Sequence, residues 1–75
     1  MKPDDALAFN NRGNVYSKKD DYTKAIEDYT KAIELEPNLA IAYNNRRLVY
    51  EKIGELLKAD MDYIKYEELR KKQKN

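Results

Sequence analysis

A chain of 75 residues with neither cysteine nor histidine has no route to a disulfide or to an ordinary zinc site. Its 15 Lys and Arg against 14 Asp and Glu leave a net charge of +1, with the signs interspersed. That balance suits solvated helix faces, not the basic surface of a nucleic-acid binder. No apolar run approaches the roughly 20 residues of a membrane span and no signal-peptide pattern opens the chain, so a cytoplasmic protein without membrane contact is expected.

The pattern reads as four helices. Pro3-Asp4-Asp5 supplies a start, with an aspartate as N-cap. Leu7 or Ala8, Phe9, Val15 and Tyr16 follow at helical spacing. Lys18-Lys19-Asp20-Asp21 is a polar break, after which Asp21 can cap a second helix. There Tyr22, Ala25, Ile26, Tyr29, Ala32 and Ile33 form an amphipathic stripe. Glu36-Pro37-Asn38 ends it, because the residue before proline is pushed out of the α region. The third helix is predicted from about Leu39 to Lys52, with Gly54 placed to stop it in the left-handed conformation. The fourth starts near Glu55 and reaches Arg70-Lys71-Lys72, whose charges complement the carbonyl end of the helix dipole. Four helices with short connections make two antiparallel hairpins, so the fold class is all-α.

Residues 6–39 and 40–73 repeat one another. Ala6 to Tyr16 returns as Ala40 to Tyr50, and Asp28-Tyr29-Thr30-Lys31 as Asp62-Tyr63-Ile64-Lys65, with 15 identities in 34 ungapped positions. A fixed period of this length marks a stacked-repeat protein, which works by presenting a surface. One domain over 1–75 is expected, with a basic tail at 70–75. Catalysis is not expected, because no His, Cys or activated Ser or Lys occupies a cleft. Asp60 and Asp62 are two apart on a helix and diverge, so they read as a solvated face; no metal and no cofactor is expected.

The first repeat reads Phe9-x2-Arg12-Gly13-x2-Tyr16, then Ala25-x3-Tyr29, Ala32 and Pro37, with the ending Lys31-Ala32-Ile33-Glu34-Leu35-Glu36-Pro37-Asn38. This resembles the tetratricopeptide repeat, departing from it at Arg12, where leucine is common. The resemblance implies two helix-turn-helix hairpins stacked in a short right-handed α-solenoid. Gly13 and Ala25 are then expected to face each other at the close helix crossing, with Tyr16, Tyr29 and Ala32 in the seam to the next hairpin. The second repeat keeps Tyr43, Tyr50, Ala59 and Tyr63, but Arg47 stands at the glycine position, Tyr66 at the second small position and Lys71 at the proline position. Arg47 either forces the helices apart or snorkels out of the seam. The turn at Asp20 is a position where the family favours glycine. Aspartate tolerates φ > 0 less well, which makes an opened, domain-swapped first hairpin conceivable.

By the same resemblance, such arrays bind peptides or protein segments in a groove lined by the first helix of each repeat. The groove positions here are Asn10, Asn11, Asn14 and Lys18, then Asn44, Asn45, Leu48 and Lys52. An asparagine amide donates and accepts together, so it can clamp an extended backbone, and lysine adds a charge for a carboxylate. A full carboxylate clamp is not expected, since Asn10 stands at its lysine position and a third repeat is missing. Arg12 and Arg46 are read as structural, their stems on the hairpin seam and their heads reaching a carboxylate such as Glu27 or Asp28. An apolar edge at Leu57, Met61, Ile64 and Leu69 supports an alternative, a self-assembling homo-oligomer or part of a longer array.

Overall fold

The computed structural model describes residues 5–73. Pro3, Asp4, Lys74 and Asn75, which carry part of the expected helix start and basic tail, lie outside them. Four helices follow in order, α1 (Ala6–Lys18), α2 (Tyr22–Leu35), α3 (Ala40–Lys52) and α4 (Leu56–Gln73). The expected caps form: Asp5 accepts from the Ala8 amide at 3.2 Å and Asp21 from the Lys24 amide at 3.3 Å. Leu39 is the N-cap of α3 and offers no side-chain acceptor. Basic Arg70, Lys71 and Lys72 fill the last turn of α4.

α1 packs on α2 and α3 on α4 as antiparallel hairpins, and α2 packs on α3 to join them. The molecule measures 36 × 32 × 16 Å. Two apolar clusters hold it. Ala25, Tyr29 and Val49 form one with Tyr16, Tyr22 and Ile26; Ala40, Tyr43 and Leu69 form the other with Ile33 and Tyr66. The turns after α1 and α3 use one device. Asp20 and Gly54, 34 residues apart, both have positive φ, 62° and 82°. Asp20 therefore takes the left-handed conformation, and the Tyr22 hydroxyl donates to its carboxylate at 2.9 Å. The first hairpin closes within one chain, against the swapped arrangement.

Three packing expectations have a structural outcome. A Cβ on Gly13 would sit 2.7 and 2.8 Å from the Tyr29 ring, so the glycine makes room for that tyrosine. Arg47, at the equivalent position, excludes a tyrosine from the same slot. Tyr63 is 44% exposed where Tyr29 is 2% exposed. The Arg47 guanidinium stacks over the Tyr63 ring at 5.2 Å and donates to Asn44 at 2.8 and 3.0 Å and to Glu51 at 2.8 Å. The overpacking is thus relieved by moving the aromatic outward. Leu69 is not at an exposed edge. It is buried against Ala40 and Tyr43, because α4 runs on past Tyr66 and its late turns fold over the start of α3.

Candidate functional site

The first helices of the two hairpins line one face, and one hydrogen bond spans it: the Asn45 amide donates to Asn10 Oδ1 at 3.0 Å. Asn10 is therefore buried and engaged inside the protein, which removes it from the expected ligand set. Asn14 accepts the Tyr29 hydroxyl at 2.5 Å, so it orients the wedge tyrosine as well as edging the face. Asn44 is held by Arg47. Asn11, Lys18, Leu48 and Lys52 are exposed. The Lys52 ammonium lies 5.9 Å from the centroid of the Tyr22 ring. What this face offers to solvent is a pair of lysines 34 residues apart, an apolar step at Leu48 and the amide of Asn11.

Behind it, a four-residue unit occurs twice. Arg12 donates through Nε and Nη2 to Asp28 at 2.8 and 2.9 Å, and Arg46 likewise to Asp62 at 2.7 Å through both bonds. Each guanidinium lies between two rings, Phe9 and Tyr16 at 5.5 and 5.8 Å, Tyr43 and Tyr50 at 5.9 and 5.6 Å. Sequence spacing accounts for this. The aromatics stand three residues before and four after each arginine, on the same helix face. Donating to the Asp62 carboxylate raises the Arg46 guanidinium above its usual basicity. These arginines are structural, as read from the sequence, but Asp62 is not on a solvated face. It is buried, and Asp60 alone of that pair is exposed. The period itself could have located it, since Asp28 and Asp62 share one register position. Sequence reasoning also missed the link from Arg46 Nη1 to the Thr30 hydroxyl at 3.1 Å, which ties the second hairpin to the first.

The architecture agrees with a comparison against protein families, in which the tetratricopeptide repeat matches residues 6–39. The first hairpin is a tetratricopeptide repeat. The four helices together fit two such repeats, the second with Arg47 in place of the family glycine. Tetratricopeptide repeats are in general protein-interaction modules and typically non-catalytic. A search of curated proteins finds no match to the chain. Among the described residues no cluster of acidic side chains could hold a metal ion, and no helix is long and apolar enough to cross a membrane.

Proposed function

We propose that this chain is a non-catalytic interaction module that takes an extended, acidic peptide segment along the face formed by α1 and α3. The observation that carries the reading is the pairing of exposed Lys18 and Lys52 at one register position of consecutive repeats, with Asn11 and Leu48 exposed on the same two helices. Two like charges repeated along a face favour carboxylates at matching intervals, the amide fixes backbone, and Leu48 takes an apolar side chain. A cytoplasmic location goes with this reading. The test uses a fluorescent peptide of alternating Glu and Ser with one central Leu, followed by anisotropy at two salt concentrations. Binding is expected to weaken with salt and to be lost in Lys18→Glu/Lys52→Glu, whose side chains leave the core untouched. Unchanged capture by that variant rejects the groove.

A second reading rests on a separate observation. Leu57, Met61 and Ile64 lie exposed along one stripe of α4, where Met61 and Ile64 border a shallow groove with Lys65 and Glu68. In this reading two copies pair through that stripe. Sedimentation over a hundredfold concentration range should then show a dimer that Met61→Glu dissolves; a monomer throughout removes it.

A further inference from the structure

The seam between α3 and α4 opens into a cavity of about 240 Å³, lined by Arg46, Tyr50, Lys58, Met61 and Asp62. At the same register of the first hairpin stand Arg12, Tyr16, Lys24, Glu27 and Asp28, so Met61 alone differs in type, replacing a glutamate. This register stays open when hairpins stack. Lys24 and Glu27 are exposed although the second hairpin packs against α2, and the cavity persists at Arg46 although α2 bonds to that arginine through Thr30. The cavity is thus a property of the hairpin itself.

Its charges do not cancel. Asp62 is buried and gives both oxygens to Arg46 at 2.7 Å, a closed pair. Lys58 is left over. Its ammonium stands 5.7 Å from the centroid of the Tyr50 ring and has no carboxylate within ion-pair distance among the described residues. In the first hairpin the equivalent Lys24 has Asp21 at 3.9 Å, with Glu27 one turn along the helix. The second hairpin therefore combines an uncompensated cation, an aromatic face and an adaptable thioether, Met61 being 63% exposed. The first hairpin offers an acid-balanced surface instead.

We propose that this cavity is a binding site for a small apolar monocarboxylate, an aromatic or branched aliphatic acid. The apolar body lies between Tyr50 and Met61, and the single carboxylate answers the donors of Lys58. The volume is below the ~300 Å³ of a drug-sized pocket, which limits the guest to about one ring and a short arm. The lining includes none of the exposed side chains of the peptide face, so the site stands whether or not that face binds.

The test titrates phenylacetate into the full 15N-labelled chain, with neutral phenylacetamide as a control of the same shape. Amide shifts are expected at Tyr50, Lys58 and Met61, saturating in the millimolar range. The amide should bind about fivefold more weakly, the worth of one exposed charge pair. Lys58→Gln should lose the same factor and no longer tell acid from amide. Met61→Glu, which restores the residue of the first hairpin, should abolish binding. Lys72→Gln, ~21 Å along the same helix, should bind like the parent. All three positions are exposed, so the variants keep the core. Equal affinity for acid and amide, full affinity in Lys58→Gln, shifts confined to α1, or no shifts at tens of millimolar overturns the proposal.

Discussion

Replacing Asp62 with Asn tests the twin arginine–aspartate units, because Asp28→Asn makes the same chemical change at the same helical position. Both carboxylates are buried and both accept two hydrogen bonds from one guanidinium. The environments of the arginines differ. Arg46 is held beneath α2 with its side chain 17% exposed, whereas water reaches Arg12. Asparagine keeps one acceptor oxygen and loses the charge, so about one charge-assisted bond of ~1.5–3 kcal/mol goes. Breaking a fully buried pair costs ~3–5 kcal/mol, an upper limit here because Arg46 retains some solvent. Asp62→Asn should therefore cost about 2–3 kcal/mol, against a total of roughly 3–5 kcal/mol for a small unstapled domain. In urea denaturation followed by helical circular dichroism, the midpoint should fall by about half or more at unchanged m. Asp28→Asn should lose less than half as much. Equal or larger loss in Asp28→Asn would refute the claim that coverage by the neighbouring hairpin gives the pair its weight. Replacing both partners at once, Arg46→Met with Asp62→Leu, should be milder than Asp62→Asn alone.

Gly13→Ala should destabilise despite the better helix former, since the new methyl meets the buried Tyr29 ring at 2.7 Å; a net cost of ~1–2 kcal/mol by thermal melting is expected, and stabilisation contradicts the wedge. Asn45→Ala leaves the buried Asn10 carboxamide without its donor and should cost ~1–3 kcal/mol, whereas Asn11→Ala, exposed at the equivalent position, should melt like the parent. Burial raises the Tyr29 and Tyr43 phenols above their usual value. The unfolded chain then ionises first, so stability is full below about pH 10 and declines as pH rises through the folded values. A tyrosinate absorbance titration should show a late fraction that appears together with loss of helicity; complete ionisation of a still-helical chain would contradict the burial.

Much of the fold was legible because helix punctuation is local. Asp5 and Asp21 cap where a short acceptor precedes an apolar period, and Asp20 and Gly54 turn where the period breaks. What a residue meets across a seam is not local. The family resemblance put Asn10 on the inner face but could not say that Asn45 would reach it. Arg47 marked a misfit, yet which side moves depends on Tyr63 having open space beside it. Leu69 looked like an edge residue because helix length decides whether a late turn overhangs its neighbour. For the face of α1 and α3, the residue types were readable and their accessibility was not.

The division of the interior into two clusters bears on how the molecule opens. The one around Tyr29 and Val49 draws on α1, α2 and α3 and includes no residue of α4. The one around Tyr43 is closed by Tyr66 and Leu69 of α4. Detaching α4 therefore dismantles one cluster and leaves the other standing, which makes the last helix a separate cooperative unit of low opening free energy. In native-state hydrogen exchange, the amides of α4 should lose protection as a group before those of α2, and partial proteolysis should trim the chain from that side first.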